Sequence, residues 1–240
     1  MSMLREWLDH FAAFSSLHLA TLLFFAALWA ALIRYGIARR NVPGAPQWRR
    51  HLGQLCLAIV LLGNGVQLCP PWFDAAETLP LQICDITEML VPFALWFRHR
   101  VLYALLYFWG LGFSVQAILT PDLAAGPLHL AYWTFWLPHA MLTGSAVFVL
   151  IVDEFRPGWH DYGWAYGLAV VYLVLILPFD LLTGFNYGYV GPGLPGHPSL
   201  LDLLGPWPWR IGAMMLTTAM VFALMQLPWT LRAQKPRSRA

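Results

Sequence analysis

The sequence predicts an all-α integral membrane protein, a bundle of seven transmembrane helices, and three observations lead to this fold class. Of the 240 residues, 59% are hydrophobic and only 11% are charged, whereas a soluble domain carries roughly 25% charged residues. Apolar runs of about 20 residues, long enough to cross a bilayer, recur along the chain. The 12 acids and 14 bases cannot cover the surface of a soluble globule of this size. The composition therefore excludes a cytosolic enzyme and a disordered chain.

Charge and motif content exclude further classes of protein. The net charge is +2 and no basic tract crosses the fold, so we expect no nucleic-acid partner. The 3 cysteines are too few and too scattered for a disulfide scaffold or a tetrahedral zinc site. Because the sequence lacks a nucleotide loop, a haem ligand pair and a zinc-protease helix, we expect neither a metal nor a cofactor.

Seven apolar runs predict the membrane spans. In order they lie near residues 11–33, 52–69, 79–97, 101–119, 130–151, 164–184 and 209–230. Helices are expected because each one satisfies its own backbone hydrogen bonds in lipid. Short segments rich in Pro and Gly separate several of the runs, for example at 42–46 and 191–198. We expect one transmembrane domain over 1–230 and a basic cytoplasmic tail over 231–240.

The first run is predicted to be a retained span and not a cleaved signal peptide. Its flank contains Glu6 and Asp9 as well as Arg5, and arginines follow it as a stop-transfer group. The third run is the most polar, because five polar residues crowd one helix. These are Gln82, Cys84, Asp85, Thr87 and Glu88.

The positions of Lys and Arg predict the orientation of the bundle. With the amino terminus outside, twelve of the 14 basic residues fall on the cytoplasmic side. Only Arg5 and Arg210 fall outside. The expected location is the bacterial cytoplasmic (inner) membrane.

This orientation places most strongly polar intramembrane side chains in the outer half of the bilayer. They are His18, Asn64, Gln67, Gln82, Cys84, Asp85, Glu88, Ser114, Gln116, His139, Asp180 and Asn186. Ionisable groups are costly in hydrocarbon, so a functional site is the first hypothesis for such a cluster. The alternative is that these groups only form hydrogen bonds between helices.

Cys84 and His139 suggest a specific chemistry. A cysteine thiolate can accept an acyl group as a thioester and pass it on. Cys84 follows Pro80 near the amino end of its helix, where the helix dipole favours a thiolate. His139 is expected at similar depth in the fifth span and could accept the thiol proton, with Asp85 or Asp180 orienting its ring.

Other interpretations remain open at this point. Cys84 could be a small core residue, as Cys56 is expected to be, or could form a disulfide with Cys69 at the outer face. The polar cluster could also belong to a transporter or an accessory subunit that binds a solute or a proton. Arg210 could hold a lipid phosphate, or its side chain could reach to the interface.

Several ordered blocks resemble the YwaF-type bacterial integral membrane proteins. The clearest is Leu79-Pro80-Leu81-Gln82-Ile83-Cys84-Asp85-Ile86, which is similar to the Leu-Pro-x-x-x-Cys-Asp signature of that family. Further blocks follow in the expected order: Tyr107 to Gly110, Gln116 to Pro121, Pro138-His139, Arg156-Pro157, Asp180, Asn186-Tyr187 and Leu204 to Trp209.

The resemblance implies an activity. These bacterial proteins are similar to an animal transmembrane acyltransferase that acts on lyso ether-phospholipid, in which a Cys-Asp cysteine and a later histidine form the catalytic pair. On this chain the pair falls on Cys84 and His139. We therefore expect a thiol-dependent lipid acyltransferase, or a lipid ester hydrolase using the same site, whose partner is a membrane phospholipid or lysophospholipid. Five residues are expected to bind the substrate: His18, Glu88, Gln116, Asn186 and Arg210.

Overall fold

A computed structural model describes residues 2–42, 45–192 and 203–233. This part of the chain is all-α, as predicted, and contains nine α-helices and a 3₁₀ turn after α8. In order they are α1 (Ser2–Asp9), α2 (Ser16–Arg39), α3 (Ala45–Gln67), α4 (Ile83–Phe97), α5 (Arg100–Gly112), α6 (Ser114–Leu119), α7 (Leu130–Ile151), α8 (Trp159–Thr183), the 3₁₀ turn (Tyr187–Tyr189) and α9 (Trp209–Ala233). Most of the predicted tail, 234–240, lies outside the described residues.

The chain is a multi-pass membrane protein. Five helical runs within the described residues are long and apolar enough to cross a membrane: α2, the run through α5 and α6, α7, α8 and α9. The predicted spans 52–69 and 79–97 correspond to α3 and α4. Helix α4 has only 15 residues, and the apolar sequence of α3 contains the polar residues Gln54, Asn64 and Gln67. The count of seven spans stays a prediction.

Local capping explains where several helices begin. The predicted first span begins at 11, but α2 begins at Ser16 because the Ser15 side chain accepts a hydrogen bond from the His18 N–H. The predicted third span begins at 79, but α4 begins at Ile83. There the Asp85 carboxylate accepts a hydrogen bond from the Gln82 N–H at 3.0 Å, which closes a capping box.

Helix α5 lies at the centre of the bundle and contacts α4, α7, α8 and α9. All of its residues from 103 to 110 are buried. Close approach also joins α2 to α7, since a Cβ added at Gly144 would lie only 2.1 Å from the Trp29 ring. This position therefore requires glycine.

Several arginines, among them Arg49, Arg98 and Arg100, gather at one end of the bundle. Two buried acids there are paired with them. Asp153, after α7, accepts from Arg49 of α3, and Asp161, in the first turn of α8, accepts from Arg100 of α5 at 2.6 Å. The amino end of α4, which carries Cys84, points to the opposite end.

Candidate functional site

Cys84 lies in the first turn of α4 and contacts a hydroxyl group from a neighbouring helix. The Ser114 hydroxyl, at the start of α6, donates a hydrogen bond to the Cys84 sulfur at 3.3 Å. All three cysteines are free thiols, so the disulfide between Cys69 and Cys84 that the sequence left open is not formed. Ser114 is fully buried, and its donor is therefore held in place beside the sulfur.

One helical turn after Cys84, Glu88 faces His139 of α7. The Glu88 Oε1 atom lies 3.6 Å from the His139 Nδ1 atom, and the two side chains are only 4% and 15% exposed. This distance is an ion-pair contact and is too long for a hydrogen bond. Residues four apart on a helix are neighbours, so the Cys84 thiol lies one turn along α4 from the carboxyl group that faces His139.

The hydrogen bond of His139 fixes which ring nitrogen can act as a base. Nδ1 lies 2.8 Å from the carbonyl oxygen of Phe135, and a carbonyl only accepts, so Nδ1 carries the proton. In the neutral ring Nε2 then holds the free lone pair. The Phe135 ring stacks on the imidazole with centroids 4.5 Å apart, which restrains the orientation of the ring.

The two aspartates that the sequence associates with His139 have other contacts. Asp85 caps α4 through the Gln82 N–H. Asp180, near the end of α8, is fully buried, and its Oδ1 atom accepts from the Tyr187 N–H at 3.0 Å. The acid beside His139 is Glu88, which the sequence analysis assigned to substrate binding.

Asp180 holds the loop after α8 in place, and this loop forms hydrogen bonds with the segment that precedes Cys84. The phenol of Tyr187 accepts a hydrogen bond from the Leu79 N–H at 3.1 Å and donates one to the Ala75 carbonyl at 2.8 Å. Burial raises the pKa of Tyr187, which keeps the phenol protonated and able to donate. The loop after α8 therefore holds the chain that leads into α4.

Two further hydrogen bonds join the α8 region to the segment before Cys84. The Gly188 N–H donates to the Gln82 side-chain oxygen at 2.9 Å, and the Tyr172 phenol donates to the Leu81 carbonyl at 2.9 Å. Gly188 has a φ of 62°, and a Cβ there would lie 2.6 Å from the Tyr172 phenol oxygen. Only glycine fits this position.

The other residues predicted to bind substrate are spread over the same half of the molecule. His18 has both ring nitrogens occupied by backbone: Nδ1 accepts from the Phe14 N–H and Nε2–H donates to the Ile118 carbonyl, both at 2.9 Å. It therefore ties α2 to α6. Gln116 is exposed and Asn186 is partly buried. Arg210 is 1% exposed and donates to the Gly191 carbonyl at 2.7 Å.

The structure thus places Glu88 against His139 and Ser114 against Cys84, with Cys84 and Glu88 one helical turn apart on α4. The predicted outer depth of Ser114 was the one sequence signal for it. Tyr172 carried no signal, because its role depends on a contact with a segment about 90 residues away. Within the described ranges, no group of three or more His, Cys, Asp or Glu side chains could hold a metal ion.

A model of the TMEM164 family matches residues 13–226. The chain belongs to the TMEM164 family. The match includes the whole candidate site, from His18 to Arg210, and the blocks that carry the resemblance described above. No curated protein and no solved structure matches the chain.

Proposed function

We propose that this TMEM164-family protein is an intramembrane acyltransferase that moves an acyl chain between membrane lipids through a thioester on Cys84. The observation that carries the proposal is the buried pair of Glu88 and His139, one helical turn from a free thiol that accepts a hydrogen bond from Ser114. A nucleophile, a base and an acid that can stabilise the charged base are the parts that acyl transfer through a thiol requires.

In the first half-reaction His139 Nε2 takes the proton from the Cys84 thiol, and the sulfur attacks the ester carbonyl of a phospholipid. The tetrahedral intermediate collapses, the C–O bond breaks, and the imidazolium returns its proton to the leaving lysolipid oxygen. The products are an acyl-thioester on Cys84 and a lysophospholipid. Glu88 stabilises the imidazolium, as an acid close to a histidine does.

In the second half-reaction His139 takes a proton from the hydroxyl group of an acceptor lysolipid. The acceptor oxygen attacks the thioester, the C–S bond breaks, and the proton returns to the sulfur. The Ser114 hydroxyl donates to the sulfur while it carries negative charge, as attacking and as leaving group. Water in place of the lysolipid gives the hydrolase that the sequence left as an alternative.

In this proposal Asp85 and Asp180 do not touch the reacting atoms, and they hold the segments that position the Cys84 thiol. Asp85 fixes the first turn of α4, and Asp180 fixes the loop that holds residues 79–82. Both are positioning residues. We propose Glu88, Gln116, Asn186, Arg210 and His18 as the surroundings of the lipid. Glu88 and His139 lie closest to the reacting atoms, while His18 shapes the wall between α2 and α6.

We also propose seven spans, with α3 and α4 crossing the membrane and the amino terminus outside the cell. Three features support this topology: α3 has 23 residues, α3 and α4 pack against α7, and several arginines gather at one end of the bundle. The thiol then faces the outer half of the bacterial inner membrane.

The test uses purified protein and a phospholipid with a labelled acyl chain. Wild type should acquire label that hydroxylamine removes, since hydroxylamine cleaves thioesters. Cys84→Ala should acquire none, while Cys56→Ala, a change to a buried thiol of α3, should label normally. Full turnover by Cys84→Ala would refute the thiol mechanism. Solute flux into proteoliposomes that depends on Asp180 and ignores Cys84 would favour the transporter instead.

A further inference from the structure

A cavity of about 560 Å³ lies at the arginine-rich end of the bundle. It is formed where α2, α4 and α7 end and where α3 begins. Cys84 and Trp96 mark the two ends of α4, so about 18 Å of helix separates the thiol from this cavity. The cavity is therefore distinct from the proposed acyl-transfer site.

Most of the negative charge at this cavity is already neutralised. Asp153, whose side chain is 3% exposed, accepts hydrogen bonds from both Arg49 terminal nitrogens and from the Tyr103 phenol. Glu154, just outside the lining, pairs with Arg40 at 2.6 Å. Each acid is thus matched by its own arginine.

The lining contains two more arginines, Arg50 and Arg98, than these two acids neutralise. Arg98 reaches Asp153 only at 3.4 Å, and its side chain is 61% exposed. Within the described residues, the Arg50 guanidinium has no ion-pair partner. The lining therefore carries two arginines whose positive charge is not fully neutralised by neighbouring acids, which suits a phosphate group.

The remaining walls are apolar and rigid. The indoles of Trp48 and Trp96, together with Leu95 and Val152, line the cavity. The Trp96 indole N–H donates to the Arg50 backbone carbonyl at 3.2 Å, which ties this part of α4 to α3. A ligand that fits this cavity must carry both an anionic group and an apolar moiety.

We propose that this cavity binds an anionic phospholipid of the adjacent leaflet, with its phosphate between Arg50 and Arg98 and its glycerol and upper acyl chains against the two tryptophans. Basic pockets between the ends of transmembrane helices bind anionic lipid headgroups in this way. The site does not depend on the thiol chemistry of the opposite end, so each proposal can fail alone.

The experiment uses the full chain in detergent and measures retained lipid by native mass spectrometry. The probes are phosphatidylglycerol, phosphatidylcholine and inorganic phosphate. Wild type should retain phosphatidylglycerol in preference to phosphatidylcholine. The double variant Arg50→Gln and Arg98→Gln should bind it roughly thirtyfold more weakly, and Arg50→Gln alone roughly fivefold, because each arginine at a membrane surface contributes a similar increment.

Arg34→Gln is the matched control, since it removes the same charge from the exposed surface of α2 near the same end without touching the lining. It should retain phosphatidylglycerol as wild type does. Equal retention by this control and by Arg50→Gln, whose side chain makes no ion pair that folding needs, would overturn the site. Competition by inorganic phosphate as strong as by phosphatidylglycerol would overturn the lipid as its ligand.

Discussion

Replacing Glu88 with glutamine tests whether its carboxylate stabilises the charge that His139 gains when it accepts the thiol proton. The substitution keeps the shape of the side chain and replaces the ionisable carboxyl group with an amide. Glu88 and His139 approach to 3.6 Å in a site where the two side chains are 4% and 15% exposed. Solvent screening of this pair is therefore weak.

The expected magnitude follows from this distance. At an effective dielectric constant of about 20, two unit charges this far apart attract by about 4–5 kcal/mol. Desolvation of the buried carboxylate offsets part of that attraction. We take roughly half, about 2 kcal/mol, as the loss of stabilisation in the charged transition state, which corresponds to about a thirtyfold slower acylation.

The assay is a single-turnover measurement of acyl-enzyme formation from a labelled phospholipid, by purified protein in nanodiscs. Glu154→Gln is the matched control, because it makes the same chemical change at a side chain that is 62% exposed and lies at the opposite end of the bundle. This control should acylate at the wild-type rate. An acylation rate for Glu88→Gln within twofold of wild type, with unfolding unchanged, would contradict the assigned role of Glu88.

Substitutions at three other positions have defined outcomes. Ser114→Ala removes the hydroxyl donor to the thiol and should slow acylation about fivefold, from a loss of about 1 kcal/mol, measured in the same assay. Asp180→Ala should lower the free energy of unfolding by about 1–3 kcal/mol, because it leaves a buried backbone N–H without its acceptor. Asp180→Asn keeps an oxygen at that position and should recover most of the stability. Gly144→Ala should destabilise the protein by about 1–3 kcal/mol through overpacking against Trp29, measured by thermal unfolding in detergent.

Two control variants make these outcomes specific. Ser145→Ala changes another fully buried serine, whose hydroxyl has no hydrogen-bond partner in the described part of the chain, and should leave acylation unchanged. Gly163→Ala places a Cβ in open space on α8 and should not destabilise the protein. Equal effects of Ser114→Ala and Ser145→Ala would contradict a role for the hydroxyl group beside the thiol. Equal effects of the two glycine substitutions would contradict the overpacking argument.

The sequence predicted the helical membrane fold because the apolar composition and the apolar runs of membrane-spanning length can be recognised without knowing any tertiary contact. The run 130–151 coincides with α7 as observed. Helix starts were less predictable, since they depend on capping. The sequence analysis placed residues 79–82 inside the third span. In the structure the Asp85 side chain caps the helix by accepting from the Gln82 N–H, so α4 begins only at Ile83.

The site was predictable in its residue types but not in its pairings. Polar residues of similar depth identified Cys84, Glu88 and His139. Which acid faces the histidine depends on the rotation of α4 relative to α7, which the sequence of either helix alone does not specify. The hydrogen bond between Gly188 and Gln82 joins residues 106 positions apart, so no local pattern could indicate it.

The most direct measurement of the central claim is the fate of the acyl group on Cys84 itself. Protein acylated from a labelled phospholipid is chased with lysophospholipid, and the peptide that contains Cys84 is followed by mass spectrometry. The account predicts a hydroxylamine-sensitive acyl group on this peptide that disappears at the rate at which the new phospholipid forms. Product formation with Cys84 unmodified throughout, or with the acyl group on Cys56 or Cys69, would contradict it.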